Sequence, residues 1–409
     1  LKCMSVAGIE YVELGFRSFE NKTYRGACAY TKDDFIKTLN IPSNLKIGVM
    51  INASELINYK TKNPITNIKL LINNKKNSRI HFVRVACHYE EISKTVKISN
   101  WLKKSGCTIG FNLMQIADKS DSEIESVGKI CSKYPIDVLY FADSMGSLGA
   151  DQILKIISLL KKNWKGEIGI HTHDNMNMAI ANTQTAFDNG VSWVDSTVTG
   201  MGRGPGNAKT EYLVIKFQEK LNRKINIMPL LELVDKDFKP MQQRFNWGVN
   251  PYYFLAGKYS IHPTFIQEML NDSRFKSLDI MSAIDHLKNI GGKKFNKDLL
   301  DSKNSNYSGK CPGTWNPKSK IFNKEVLILG NGPGISEDKL GIEQYIKKNK
   351  PFVIGLNTQK SINEKLINIR VACHAFRLTT DRKKYRSLKQ PLVLPLKRLS
   401  KEIKKYLSS

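Results

Sequence analysis

Two histidines separated by a single residue, His171 and His173 in EIGIHTHDN (167–175), are the residues of this 409-residue chain whose types and spacing best suit chemistry. Read as a β-strand, the stretch puts Gly169, His171 and His173 on one face and Ile168, Ile170 and Thr172 on the other. Two imidazoles facing the same way can grip one divalent cation, and the glycine beneath them leaves space; hydrogen-bonded histidines without a metal are the alternative. Other polar residues recur where apolar runs end. Glu13 in YVELGF shares a face with Tyr11 and Gly15, and Arg17 follows that run as a candidate for a substrate anion. Asp143 and Ser144 close the run that ends FADSMGSL. The glycine-dense GMGRGPGNAKTE (200–211) leads into a helix expected to begin near Asn207, an arrangement suited to an anion or metal through backbone N–H groups and a side-chain amide.

These residues need elements to hold them. YVELGF (11–16), LKIGVMIN (45–52), HFVRVACH (81–88), CTIGFNLM (107–114), IDVLYFAD (136–143), EIGIHTHD (167–174) and WVDSTVTG (193–200) are short runs rich in Val and Ile. Most are followed by an amphipathic stretch of helix length, such as ADQILKIISLLKKNW. That βα alternation implies parallel strands. The chain opens at LKCMSVAGIE, read as a helix tail entering a strand, so the expectation is an α/β fold of the TIM (β/α)8 type with its first strand absent. An open doubly wound sheet is the alternative, but no glycine-rich fingerprint follows the early strands. In a barrel, chemistry sits at the carboxyl ends of strands, where the polar residues above cluster. His81, His88 and Arg84 are read as structural, Arg84 as a buried ion-pair partner and Asp195 as a residue that orients a neighbour.

Hydrophobic content of 41% and charged content of 25% are ordinary for a globular protein, whereas the net charge of +27 is not. The lysines are spread along the chain, as in NNKKN (73–77), and no basic platform interleaved with aromatics is present. Attraction of anionic small molecules is therefore favoured over nucleic-acid binding. The seven cysteines (3, 28, 87, 107, 131, 311, 373) form no CxxC pair and several lie in apolar runs, which points to reduced thiols and a cytoplasmic location. No apolar run reaches membrane-span length.

HTHDN followed by AIANTQTAFDNGVSWVDSTVTGMGRGPGN resembles the HMG-CoA-lyase-like barrel enzymes, the DRE-TIM metallolyases. The ADSMGSL strand end and the cysteine-free GRGPGN loop look most like the 4-hydroxy-2-oxovalerate aldolase branch, and the resemblance covers about residues 1–270. It implies that His171 and His173 ligate a divalent metal (Mn²⁺ foremost, with Mg²⁺, Co²⁺ or Zn²⁺ as alternatives) and that Asn207 lies at or near the coordination sphere. It also implies that Ser144, after Asp143, holds the carboxylate of a pyruvate-like 2-oxo acid, and that Glu13 is a lumen carboxylate. The family's first strand carries an Arg, a metal-binding Asp and, in the aldolases, a His; none can be placed here. The polypeptide as given is therefore expected to bind metal weakly and to be inactive. The implied reaction cleaves a 4-hydroxy-2-oxo acid to pyruvate and an aldehyde through a metal-stabilised enolate.

The expected domains are a barrel over 1–220, a helical extension over 221–300, a linker over 301–323 and a Rossmann-like module over 324–409. In the extension, Tyr252, Tyr253 and Tyr259 are read as an aromatic packing surface or dimer contact, with shaping of a substrate channel as the alternative; His262 is read as structural. In KEVLILGNGPGISEDKL the glycines Gly330, Gly332 and Gly334 are candidates for binding the phosphate of a nucleotide or nucleotide-sugar, though the full dinucleotide fingerprint is missing. Two other functions stay open: a Claisen condensation of an acyl-CoA with a 2-oxo acid, as in isopropylmalate synthases, and a non-catalytic scaffold for the carboxyl-terminal module.

Overall fold

Each apolar run becomes a parallel strand: β1 (Tyr11–Phe16), β2 (Lys46–Asn52), β3 (Ile80–Cys87), β4 (Thr108–Leu113), β5 (Val138–Asp143), β6 (Glu167–Thr172) and β7 (Trp193–Val194). They form one sheet in chain order, β1 to β7, every neighbouring pair parallel. The computed structural model describes residues 1–20, 23–72, 78–222, 224–272, 275, 277–296, 315–373, 377–378 and 381–396. Two compact units emerge, Leu1–Lys258 and Tyr259–Ser409.

The sheet of the first unit is curled, and its inner face explains the glycines of the even strands. β1, β3, β5 and β7 send Tyr11, Phe82, Tyr140 and Trp193 into the lumen, with Tyr11–Trp193 ring centroids 4.5 Å apart and Phe82–Trp193 5.2 Å apart. At the intervening strands stand Gly48, Gly110 and Gly169. A Cβ on Gly48 or Gly110 would lie 2.9 Å from the Phe82 ring, and one on Gly169 would collide with the Tyr140 ring. Alternate strands thus supply bulk and space in one layer, as barrel interiors require. Contact between Tyr11 and Trp193 brings the first and last strands together although no ladder joins them among the described residues.

On the outer face the strands pack against amphipathic helices. Ile153, Ile156, Ile157 and Leu160 of the helix Ala150–Asn163 recur at helical spacing and are buried, each worth roughly 1.5–3 kcal/mol of apolar burial. They share a core with Ile109, Phe111, Leu139, Phe141, Ile168 and Ile170. The helix Asp121–Cys131 starts at a capping box, Ser120 accepting from the Glu123 N–H while the Glu123 carboxylate accepts from the Ser120 N–H. Cys87 and Cys131 are buried free thiols in this core, and burial pushes the Cys131 thiol up to about 12. Short helices and one π-helical stretch, Val234–Phe238, complete the unit up to Pro251–Lys258.

The second unit contains the helices Pro263–Leu270 and Ser277–Ile290 and a parallel sheet of β8 (Val326–Leu329), β9 (Phe352–Leu356), β10 (Ile369–Val371) and β11 (Leu392–Val393), ordered β11-β10-β9-β8. His262 caps the first of these helices, its Nδ1 accepting from the Thr264 N–H. Residues 301–314 of the expected linker lie outside the described residues, and Lys318–Ile321 is a helical turn. No helix among the described residues is long and apolar enough to cross a membrane.

Candidate metal centre at the carboxyl end of the sheet

β6 stops at Thr172, and His173 forms an isolated antiparallel bridge with Asn207. The glycine-dense loop makes that bridge possible. Gly200 and Gly206 adopt left-handed φ of 68° and 81°, so the loop doubles back: Asp174 N–H donates to the Gly206 carbonyl at 2.9 Å and Asn207 N–H to the Gly200 carbonyl at 3.0 Å. A Cβ on Gly200 would sit 2.8 Å from the Asn207 carbonyl oxygen, so only glycine closes the loop. Because residues 207–209 are spent on this return, the helix expected near Asn207 begins at Thr210 instead.

Each imidazole is oriented by a partner at Nδ1. His171 Nδ1 lies 2.8 Å from Asp195 Oδ2, and His173 Nδ1 lies 3.1 Å from the backbone oxygen of Asp143. An imidazole tied at Nδ1 to a carboxylate or carbonyl oxygen has the orientation usual for metal-binding histidines. The two rings are 5.0 Å apart at nearly right angles. Asn207, 9% exposed, donates through Nδ2 to the Met201 carbonyl, while its buried Oδ1 has no hydrogen-bond partner among the described residues. A buried amide oxygen without a donor costs free energy unless something electropositive meets it. Imidazole nitrogens and an amide oxygen are donor types that a divalent cation accepts. Among the described residues no set of three or more His, Cys, Asp or Glu side chains is arranged to hold an ion.

Beneath His171 lies a buried charge cluster. Arg84 of β3 makes two 2.8 Å bonds to Glu13 of β1 and a further bond to Asp195, with its guanidinium 5.1 Å from the Tyr140 ring centroid. Arg84 is thus the ion-pair partner expected, and Asp195 orients its neighbour. Burial alone raises the Asp195 carboxyl, but Arg84 and His171 outweigh it and hold the group at about 2. Two carboxylates against one guanidinium leave a formal negative excess beside His171, which favours a cation there.

The remaining candidates are placed differently. Glu13 faces the lumen, but both its oxygens are taken by Arg84. Arg17 is buried away from the lumen residues above, donating to the Leu71 and Thr31 carbonyls and to Asp33, so its charge is already spent. Asp143 holds the following turn, accepting from Ser147 N–H at 3.0 Å and Leu148 N–H at 3.2 Å; burial pushes its carboxyl up to about 6. Ser144 Oγ accepts from the Gln115 N–H at 2.9 Å, leaving its own O–H to donate. His81 Nδ1 accepts from Ile47 N–H, and His88 donates its N–H to Glu91 at the start of a helix; both are structural. Tyr253 is buried beside Gly204 and its phenol is pushed up to about 12 by burial. The lumen-facing Asn112 was not singled out in the sequence, although its two-residue spacing from Gly110 within the β4 run marks it.

In the second unit, the phosphate cradle expected at Gly330, Gly332 and Gly334 is not supported. None of the three takes a left-handed φ, a Cβ on any of them would meet nothing within 4 Å, and the helix that follows is the single turn Gly334–Glu337. A cradle needs N–H groups converging on one point, through left-handed residues or a helix of some length.

Relatives place this geometry. The 4-hydroxy-2-oxovalerate aldolase of Bacillus cereus (strain 03BB102) is 28% identical over 220 residues, 52% of this chain and 63% of that protein. The 4-hydroxy-2-oxovalerate aldolase 4 of Rhodococcus opacus (strain B4) is 30% identical over 192 residues, 45% of this chain and 55% of that protein. The match therefore spans less than two thirds of either relative's length. The crystal structure of the N-terminal domain of a proposed aldolase from Bacteroides vulgatus superposes with a TM-score of 0.58 at 25% identity, covering 66% of this chain and 88% of that one. The HMGL-like family model matches residues 3–235, more than half of the sequence, and the chain belongs to the HMGL-like family.

Proposed function

We propose that this chain is the barrel of a divalent-metal-dependent aldolase that cleaves a 4-hydroxy-2-oxo acid to pyruvate and an aldehyde. The observation that carries the reading is the pair of imidazoles, each tied at Nδ1, beside the unpartnered Oδ1 of Asn207. The curated relatives named as 4-hydroxy-2-oxovalerate aldolases support the substrate class. His171, His173 and Asn207 would hold the cation, with Mn²⁺ the first choice; when bound, it supplies Lewis acidity to the 2-oxo carbonyl.

The chain's own groups do the rest of the positioning. Asp195 keeps the His171 ring turned with Nδ1 inward, and the Asp143 carbonyl does the same for His173. Ser144, its Oγ fixed by the Gln115 N–H, presents a hydroxyl hydrogen to the substrate carboxylate. In the reaction the 4-hydroxyl loses its proton and its O–H electron pair becomes the second bond of the aldehyde carbonyl. The C3–C4 bond breaks, its pair stays on C3, and a proton added there gives pyruvate.

The deciding experiment is a Mn²⁺ titration followed by electron paramagnetic resonance, on the wild type and on His171→Ala and His173→Ala. The wild type is expected to take up one ion, and each variant to bind at least about tenfold more weakly. Uptake unchanged in both variants overturns the reading. Any aldehyde release from 4-hydroxy-2-oxopentanoate is expected to vanish on chelation and to return with Mn²⁺.

A further inference from the structure

We infer that Asn112 is the residue that reads a hydroxyl on the substrate's carbon chain, an assignment that rests on the oxo-acid site proposed above. Asn112 stands on β4 two residues after Gly110, whose missing side chain faces the Phe82 and Tyr140 rings in the lumen. Alternation along the strand turns Asn112 to the same inner face, one step nearer the carboxyl end. It is 5% exposed, and its Oδ1 has no hydrogen-bond partner among the described residues.

Its surroundings explain what that oxygen is for. In register with Asn112 stand Ala86 on β3 and Tyr140 on β5, and two residues beyond Tyr140 on the same face Ala142 stands in register with His171. Both alanines fall on the lumen face by alternation with Phe82 and Tyr140. Small side chains at these two positions add little bulk beside the amide and the histidines. The charged lumen groups offer Asn112 no spare donor, because Arg84 is engaged by Glu13 and Asp195 and His171 Nδ1 is engaged by Asp195. An amide oxygen carries partial negative charge, so it repels the carboxylate end of an oxo acid and accepts from a neutral O–H. The 4-hydroxyl of a 4-hydroxy-2-oxo acid is such a donor. A site that holds a buried acceptor for a hydroxyl also penalises the analogue that lacks it, since the acceptor then stays unpaired.

The test compares 4-hydroxy-2-oxopentanoate with 2-oxopentanoate, which lacks only the hydroxyl, by saturation-transfer NMR on the protein loaded with diamagnetic Mg²⁺, so that the cation on which the oxo-acid site rests is in place. The wild type is expected to bind the hydroxy acid about tenfold more tightly. Asn112→Leu, of similar volume and without polar atoms, should bring the two affinities together, while Asn112→Asp, which keeps an acceptor in place, should retain the ratio even if both acids bind more weakly.

Absence of discrimination in the wild type overturns the inference, as does an equal loss for both acids in Asn112→Leu. Loss of Mn²⁺ uptake in Asn112→Leu, matching that of His171→Ala, would assign the amide to the metal instead and also overturn it. If Mn²⁺ binds through the histidines but neither acid binds the wild type, the oxo-acid reading itself fails, and the two failures are told apart.

Discussion

At the scale of single residues, the site is organised by groups that touch no substrate. Asp195 illustrates this, since it pairs with Arg84 and orients His171 at once. Asp195→Asn keeps the shape but weakens the acceptor, and Mn²⁺ affinity is expected to fall by about 10–100-fold, measured by the same titration. Asp143 makes a second, independent prediction about stability. Its carboxyl, buried under the Ser147 and Leu148 N–H groups, titrates at about 6 against 3.8 for an unperturbed side chain. Because the folded value is the higher one, folding favours the protonated form; the contribution is complete below pH 4 and lost as pH rises through 6. The loss by pH 7 is of the order of 3 kcal/mol. Urea denaturation from pH 4 to 7 should show this decline, and Asp143→Asn, with no proton to lose, should flatten it.

At the scale of elements, the curl of the sheet depends on an exchange of volume between neighbouring strands. Tyr11, Phe82, Tyr140 and Trp193 fill one lumen layer only because Gly48, Gly110 and Gly169 yield the space beside them. Gly169→Ala places a methyl group in the Tyr140 ring and is expected to cost about 1–3 kcal/mol by overpacking. Tyr140→Leu should relieve much of that cost, so the double variant will be more stable than the sum of the single changes predicts. Thermal melting of the four proteins measures the coupling. If Gly169→Ala melts with the wild type, the layer is not what closes the curl.

At the scale of the whole molecule, the chain forms two compact units. The histidines, Asn207, Ser144 and the Arg84 cluster all lie within Leu1–Lys258. A polypeptide of residues 1–258 is therefore expected to melt cooperatively and to take up Mn²⁺ as the complete chain does, by calorimetry and the titration above. Failure of either would place a needed contact in the second unit. The net charge of +27 acts at this scale too. Encounter with an anionic oxo acid should weaken as salt is raised, seen as a KM that climbs with ionic strength while kcat holds.

Much of this was legible before the fold was in hand. Period-two runs separated by helix-length amphipathic stretches dictate parallel strands in chain order, and two histidines at i and i+2 must share a strand face whatever surrounds them. Local rules of this kind act over a few residues, which is why β2 to β6 fell close to where the sequence put them, whereas β7 proved to be only Trp193–Val194 because the chain beyond it leaves the ladder to meet Lys209. What the sequence left open were partnerships between distant segments. Arg17 follows β1 and Arg84 lies within β3, yet one is consumed by Asp33 and two carbonyls and the other joins β1, β3 and the end of β7. Glu13 could not be told from a substrate ligand until Arg84 was seen to take both its oxygens. Only the curl of the sheet brings residues 13, 84, 171 and 195 within bonding distance, and only the returning loop sets Asn207 beside His173. Composition and periodicity describe how a segment folds; which charge meets which is fixed by the curvature that packs the lumen.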